Sequence, residues 1–257
     1  MTIKYCPLAS GSKGNALWVE TGDGAVLVDA GLAGRELMRR LDAAGLNPGA
    51  LQAILISHEH RDHVSGAGVL ARRLRLPIYL NQATRRRAAF LLDHVETRDF
   101  RTGEPFRLAG LAIQPFSVSH DAADPSGFIF ERQGVKLGLA TDLGVSTSLV
   151  RERLAGCRGL ILEANHDPQM LMNGPYPWEI KMRVKSRHGH LSNQDAAELL
   201  AQVAHAGLAH VVLAHLSEVN NRPELALAVV GSAVNTPARG FTLTAAGQHA
   251  PGPLREI

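Results

Sequence analysis

Four side chains that can bind metal ions follow directly on a predicted buried strand. The stretch is ILISHEHRDHVSG, in which the apolar run is followed by His58, His60, Asp62 and His63. On a helix, residues i and i+2 diverge, and on a strand, residues i+4 and i+5 point to opposite faces. The four side chains can therefore converge only where a loop curls away from the strand end. Imidazole beside carboxylate is a typical donor set for a divalent cation.

Further candidate ligands follow predicted strands later in the chain. His120 comes after LAIQPFSV, Asp142 comes after VKLGLAT, and His215 is the last residue of HVVLAH. A single such residue is often only a surface or capping residue, but three in this order favour a shared metal site. Asp29, which ends AVLVDAG, is a candidate for hydrogen-bond support of the imidazoles. Its alternative interpretation is an aspartate that simply ends a strand at a glycine turn.

The order of predicted elements indicates the fold class. Short apolar strands form a meander at the start and again in the middle, and strands alternate with helices elsewhere. This order predicts an α/β (α+β) chain with two mixed sheets that face each other and helices outside. We expect one domain over residues 1–247 and a loose C-terminal tail over residues 248–257.

Composition restricts the setting in which the chain works. Of its 257 residues only two are cysteines, and no apolar run approaches the ~20 residues that span a bilayer. The first residues lack the pattern of a signal peptide, so we expect a cytoplasmic protein that does not enter a membrane. The net charge is +3 and most of the cations are arginines, which weakly favours an anionic substrate.

HEHRDH, followed by His120, Asp142 and His215, resembles the metallo-β-lactamase superfamily, from about Ile3 to residue 244. The resemblance implies an αββα sandwich with two divalent metal ions, Zn²⁺ or Mn²⁺, at the sheet edges. It implies that one ion is held by His58, His60 and His120, the other by Asp62, His63 and His215, and that Asp142 bridges them. The best-known β-lactamases carry cysteine where Asp142 stands, which argues for the other hydrolase branches.

Four more motifs indicate which branch of the superfamily the chain resembles. SGSKGN, LEANHD, GHLSN and LAHLSEVNN are similar to the YycJ/WalJ-type branch, whose characterised members are metal-dependent 5′-to-3′ exonucleases. LEAN and GHLS also resemble paired motifs of ribonuclease Z, which implies that Glu163 orients His190 and that His190 donates a proton. From the residues alone, His190 precedes a predicted helix cap at Ser192, with Asp195 completing a capping box. Next to that helix start His190 is interpreted as a proton donor, and the alternative is a solvated loop residue.

Several residues are candidates for binding the substrate. The SGSKGN turn could cradle an anion with its backbone N–H groups, beside Lys13 and Asn15. His166 follows another predicted strand. Residues 170–190 are predicted to form an extended loop whose alternating cations follow phosphates and whose aromatic side chains stack on bases. The cations assigned to the substrate are Lys181, Arg183 and Arg187. The alternative for this loop is a charged edge strand.

The sequence as a whole predicts a two-metal phosphodiester hydrolase. The expected substrate is single-stranded DNA, or RNA, with an accessible 5′ end, and the expected activity is 5′-to-3′ exonuclease. In this hypothesis a metal-activated hydroxide attacks phosphorus, and Asp62, Glu163 and His190 are the catalytic residues. One alternative is a hydrolase of a small thioester, lactone or cyclic phosphodiester. Another is a non-catalytic nucleic-acid-binding module.

Overall fold

Two mixed sheets of seven strands form the centre of the protein. The computed structural model describes residues 2–233 and 240–257. The first sheet contains β1 (Lys4–Ala9), β2 (Ala16–Thr21), β3 (Gly24–Val28), β4 (Leu51–Leu55), β5 (Ile78–Leu80), β6 (Thr97–Asp99) and β14 (Arg255–Glu256), in the order β14-β1-β2-β3-β4-β5-β6. The second contains β7 (Phe106–Leu108), β8 (Leu111–Ser117), β9 (Ser126–Arg132), β10 (Val135–Ala140), β11 (Gly159–Glu163), β12 (His210–Ala214) and β13 (Thr242–Ala245), in the order β13-β12-β11-β10-β9-β8-β7. Each sheet joins antiparallel strands to parallel ones.

The helices of the described residues are α1 (Gly34–Ala43), α2 (Arg61–Val64), α3 (Ala67–Leu74), α4 (Gln82–Ala88), α5 (Ser148–Leu154), α6 (Pro168–Asn173), α7 (Trp178–Lys185), α8 (Asn193–Val203) and α9 (Pro223–Ala233). Apolar side chains of α1 and α3 pack on the outer face of the first sheet, and those of α5, α8 and α9 pack on the outer face of the second. The longest of these described helices have eleven residues, so none has the length and apolarity needed to cross a bilayer.

Successive side chains along a strand point to opposite faces of the sheet, which explains the layers of helices, sheets and core. In β11, Leu160 and Leu162 pack against the outer helices, whereas Ile161 lies in the core between the sheets. In β3, Leu27 and Val28 divide in the same way between the outer and inner cores. Because both faces of these strands are buried, nearly every position is apolar, which is typical of sheets covered on both sides. The predicted αββα arrangement is confirmed.

The predicted loose tail is wrong, because the last residues complete the first sheet. β14 pairs antiparallel with the free edge of β1, and Ile3 and Ile257 exchange two backbone hydrogen bonds of 3.1 and 3.0 Å. Ile257 is buried among the residues between the sheets. The segment contains two prolines and one terminal apolar residue, so no strand periodicity could be recognised in it.

The tail therefore makes a testable contribution to stability. Ile257→Ala is expected to lower the free energy of unfolding by about 2 kcal/mol, since a buried Ile side chain is truncated. Leu254→Ala is the matched control, because Leu254 is 44% exposed and its loss should change stability by less than about 0.5 kcal/mol. Urea denaturation would measure both. Equal losses in the two variants would contradict the packed position of Ile257.

The predicted extended loop at residues 170–190 is also wrong. Residues 168–173 and 178–185 form α6 and α7, and Asp167 begins α6 by accepting hydrogen bonds from the backbone N–H groups of Gln169 and Met170. On a helix, cations two positions apart diverge and cannot share one side. The alternation of Lys181, Arg183 and Lys185 is therefore compatible with a helix and does not indicate an extended strand.

Candidate metal centre and catalytic site

The seven potential metal ligands come together at one edge of the two facing sheets. They are His58, His60, Asp62 and His63 after β4, His120 after β8, Asp142 after β10 and His215 after β12. Their donor atoms form overlapping groups in which all atoms lie within 4.8 Å of one another. Strand ends bring them together, because the parallel strands of each sheet end at the same edge.

One group consists of three imidazoles. His60 Nδ1 lies 3.2 Å from His120 Nε2, and His120 Nδ1–H donates to the carbonyl of Gly189 at 3.0 Å. The His58 Nδ1 atom is 3.0 Å from Ser57 Oγ. These hydrogen bonds fix the rings of His120 and His58, so that the Nε2 atom of each is left for the cluster.

The second group combines two carboxylates with two imidazoles. His215 Nε2 lies 3.4 Å from Asp62 Oδ2 and 3.3 Å from Asp142 Oδ1. His63 Nε2 lies 3.3 Å from Asp142 Oδ2, without the alignment of a hydrogen bond. Asp142 also reaches the first group, since its Oδ1 is 3.8 Å from His120 Nε2.

The cluster fits divalent metal ions. Among the described residues, the buried atoms His58 Nε2 and Asp142 Oδ2 have no hydrogen-bond partner. A buried polar atom without a partner is costly, and such atoms are rare in folded proteins. A cation bound by these imidazole and carboxylate donors would satisfy both atoms.

Burial and neighbouring charges shift the pKa values of the potential ligands. Burial and the neighbouring His63 hold the pKa of His58 well below its usual range, so its lone pair is available. Burial opposes ionisation of Asp142, but His215 and His63 hold the pKa of this carboxyl well below its ordinary value. Burial also disfavours the charged form of His215, yet Asp142 and hydrogen bonds to Asp62 and Glu163 raise its pKa to about 10. Metal binding must therefore displace protons, and its affinity falls in acid.

Asp29 forms a hydrogen bond with the ring of His63, which is the supporting role that the sequence suggested for it. It accepts from His63 Nδ1–H at 2.8 Å, and its other oxygen accepts from the backbone N–H of Ser57, also at 2.8 Å. Asp29, Asp142 and His215 all have left-handed backbone conformations, with φ of 60°, 57° and 55°. Non-glycine residues in this region concentrate at functional sites, where surrounding contacts hold them.

We expect Asp29→Asn to weaken metal binding by about 10- to 100-fold, because such supporting partners orient a ligand and raise its basicity. A metal titration of the purified variant would measure the change. Asp23→Asn is a matched control, since Asp23 is exposed in a turn and pairs with Arg132. Unchanged affinity in Asp29→Asn would contradict this supporting role.

A second pair of titratable residues adjoins the cluster. His190 Nδ1–H donates to Glu163 Oε1 at 2.7 Å, and Glu163 Oε2 accepts from the backbone N–H groups of Leu143 and Leu191. Burial opposes ionisation of Glu163, but the charge and hydrogen bond of His190 lower its pKa to about 2. The capping box predicted for Ser192 and Asp195 is present at the start of α8. This cap fixes the chain just beyond His190.

A cavity of about 290 Å³ opens over the cluster. It is lined by His60, Asp62, His120, Asp142, His190 and His215, and by residues of the segment around α7. Tyr176, Ile180 and Arg183 form that part of the wall. The cavity thus combines potential metal ligands, the His190 imidazole and a rim with apolar, aromatic and cationic side chains.

The predicted anion cradle at SGSKGN has other partners in the structure. The backbone N–H groups of Gly11, Lys13 and Gly14 donate to Asn15, Gln248 and Gly11 respectively. Asn15 is buried, and its side-chain amide lies 3.0 Å from His63 Nε2 and 3.3 Å from the carbonyl of Asp62. It therefore supports the ligand loop from inside the protein. Lys13 Nζ forms an ion pair with Glu218 at 2.7 Å.

The other predicted substrate-binding residues are spread around the site. Arg183 lines the cavity and contacts Asp121 at 2.8 Å, whereas Lys181 Nζ donates to the Met172 carbonyl. Arg187 is exposed, and its carbonyl accepts from Ser119 Oγ at 2.7 Å. His166 is buried and lines a separate cavity.

Two residues near the cluster were not predicted. Asp121 Oδ1 lies 3.3 Å from His120 Nε2, and Asn165 donates to the carbonyl of His215 at 2.8 Å. The signal for Asp121 was its position directly after a candidate ligand. Asn165 follows the same strand as Glu163, so strand-end placement would have indicated it.

The chain belongs to the metallo-β-lactamase superfamily. The family described as the beta-lactamase superfamily domain matches residues 25–216. The chain is 40% identical over 229 residues to exodeoxyribonuclease YycJ of Bacillus anthracis, covering 88% of this chain and 87% of that protein. It is 39% identical over 233 residues to exodeoxyribonuclease WalJ of Streptococcus pneumoniae D39, covering 87% and 85%. The metallo-β-lactamase fold protein YhfI of Bacillus subtilis has a similar structure, with a TM-score of 0.77, 17% identity and full coverage of both chains.

Proposed function

We propose that the chain is a two-metal exonuclease that removes nucleotides from the 5′ end of single-stranded DNA. Its assignment to the hydrolases of the nuclease type follows from its family and from the two exodeoxyribonucleases at about 40% identity. The observation that carries the proposal is the convergence of seven potential ligands and the His190–Glu163 pair on one cavity. The 5′-to-3′ polarity is inferred from the resemblance of the SGSKGN, LEANHD, GHLSN and LAHLSEVNN motifs.

The ligands divide naturally between two ions. His58, His60 and His120 would hold one, and Asp62, His63 and His215 would hold the other. Asp142 has one oxygen near His120 and His215 and the other near His63, so it would bridge them. When bound, such a pair of ions makes a water nucleophilic at neutral pH and offsets charge on phosphate oxygens.

Hydrolysis joins a water oxygen to phosphorus and breaks the bond from phosphorus to the leaving oxygen. His190 supplies the proton that the leaving oxygen takes. Its Nδ1–H is held by Glu163, so Nε2 is the nitrogen that can exchange a proton with the substrate. Glu163 remains ionised and stabilises the positive charge of the imidazolium, as the carboxylate does in other His–carboxylate pairs.

The side chains at the rim of the cavity favour a strand of nucleic acid as the substrate. Arg183 exposes about half of its side chain at the wall and can contact a phosphate. Trp178, at the start of the same helix, is 60% exposed and offers a face on which a base can stack. Cationic and aromatic groups on one helix are typical of surfaces that bind single strands.

The test is degradation of single-stranded DNA and RNA labelled at either end, with a 5′-phosphate or a 5′-hydroxyl, in Mn²⁺ or Zn²⁺. We expect the 5′ label to appear first as a mononucleotide and chelation to stop the reaction. Asp62→Ala should lose about 10³-fold or more of the activity, since each 1.36 kcal/mol of lost stabilisation is tenfold. Asp93→Ala, at an exposed carboxylate, should retain it.

Other outcomes would identify the alternatives. Turnover of a thioester, lactone or cyclic phosphodiester without loss of oligonucleotide would identify a small-molecule hydrolase. Fewer than one metal ion per chain, with binding but no cleavage of DNA, would identify a non-catalytic module. Full activity of Asp62→Ala would contradict the ligand assignment.

A further inference from the structure

A second cavity adjoins His190. It has a volume of about 220 Å³, and its wall includes His166, Leu171, Met172, Lys185 and Ser192. Among the described residues that line this cavity and the one over the metal cluster, only His190 belongs to both. The imidazole that we assign to the leaving oxygen therefore forms the boundary between the two cavities.

The wall of the second cavity includes a buried polar atom without a hydrogen-bond partner in the described part of the chain. His166 is 3% exposed, and its Nδ1 has no hydrogen-bond partner among residues 2–233 and 240–257. Ser192 and Asp195, by contrast, are joined to each other in the capping box. Burial lowers the pKa of His166 to about 4, so the ring is neutral at pH 7 and offers one donor and one acceptor.

The rest of the wall selects the kind of ligand. Pro168, Leu171 and Met172 are apolar, and Asp195 would repel an anion. A neutral, flat heterocycle with hydrogen-bonding groups on its edge suits this surface, whereas a phosphate does not. Lys185 is an exposed cation at the same wall, where it can contact a phosphate attached to such a ligand.

The volume sets the size of the ligand. Pockets that enclose drug-sized molecules measure about 300–1,000 Å³, and this one is smaller. It has room for one base but not for a continuing strand. Because no second nucleotide fits beyond that base, the volume favours the base of a terminal nucleotide as the ligand.

We propose that this cavity binds the base of the terminal nucleotide on the leaving side of the cleaved phosphate. The inference rests on the proposed function, because it takes His190 as the donor to the leaving oxygen. In the reaction the bond between phosphorus and the 3′-oxygen of that nucleotide breaks, and the oxygen takes the proton from His190. The shortened strand keeps the phosphate. Holding one base on this side selects a 5′ end and explains why cleavage starts there.

The test compares two short single-stranded DNAs, one with an ordinary 5′-terminal nucleotide and one whose 5′-terminal residue lacks the base. In the wild-type protein we expect kcat/KM for the first cleavage to fall about tenfold without the base, mainly through KM, the size expected for one lost base contact. His166→Leu should lower kcat/KM on the ordinary strand and abolish the difference between strands. Met172→Trp, which fills the cavity, should do the same.

His94→Leu is the control, because His94 is exposed and does not line the cavity. His94→Leu should show the same difference in kcat/KM between the two strands as the wild-type protein. Equal kcat/KM of the wild type on both strands would overturn the inference while leaving the nuclease function in place, as would undiminished discrimination in Met172→Trp. Degradation of neither strand with any metal would overturn the proposed function and this inference with it. If His166→Leu does not fold, the wild-type comparison and Met172→Trp still decide the outcome.

Discussion

Asp142→Asn is expected to lower nuclease activity at least about 10³-fold and to reduce the number of bound metal ions. Asp142 is buried and lies 3.3 Å from both His63 Nε2 and His215 Nε2, through different oxygens. Asparagine keeps the shape but offers one oxygen, so it cannot bridge two ions. The contribution of a metal ion to a transition state is several kcal/mol, and each 1.36 kcal/mol is tenfold in rate.

The measurement for Asp142→Asn combines initial rates on end-labelled DNA with elemental analysis of the purified protein. Asp99→Asn is the matched control, because Asp99 is exposed at the end of β6 and pairs with Arg85. It should retain both activity and metal content. An Asp142→Asn protein with two ions per chain and undiminished rates would contradict the bridging role.

His190→Gln is expected to lower kcat by about 10²- to 10⁴-fold without changing the metal content, which is the usual effect of removing a general acid. The reason is the 2.7 Å hydrogen bond to Glu163, which fixes the ring at the wall of the cavity. Glu163→Gln should act through the same step. Because the two residues work as a unit, the double variant should lose little more than His190→Gln alone.

A substrate with a different leaving group shows whether His190 donates a proton or only positions the substrate. A nitrophenyl phosphodiester of a nucleotide releases an oxygen that needs no proton, so His190→Gln should lose much less activity on it than on DNA. His205→Gln is the control, because the His205 ring bonds the carbonyl of Cys157 and lines neither cavity. Equal losses of His190→Gln on both substrates would contradict the role as proton donor.

The sequence indicated that the potential ligands would meet because of where these residues stand relative to the strands. His120, Asp142 and His215 each follow an apolar run, and the ends of such runs meet at one edge of the folded sheets. The HEHRDH stretch was expected to converge in a loop. His58 and His60 do lie in a loop, whereas Asp62 and His63 lie in the short helix α2. Periodicity and strand order are local signals, and together with the resemblance of the motifs they indicated which side chains would lie close together at this edge.

Other parts of the molecule depend on contacts between distant residues and could not be predicted. The amide of Asn15 is buried beside the Asp62 carbonyl, 47 positions away, and nothing in the SGSKGN turn indicates that partner. β6 and β7 have three residues each, too few to display an alternation. β14 forms because β1 has a free edge, which the last ten residues do not reveal.

The left-handed backbone at Asp29, Asp142 and His215 has a consequence for protein engineering. For a residue with a side chain, the left-handed backbone conformation costs about 1–2 kcal/mol of free energy, whereas glycine adopts it freely. Glycine at these places would relieve that cost but would remove the carboxylates and the imidazole, and at position 29 it would leave the buried His63 and Ser57 donors without their carboxylate partner. A thermostabilised version of this enzyme should keep all three residues and seek its gains elsewhere, for example in exposed loops.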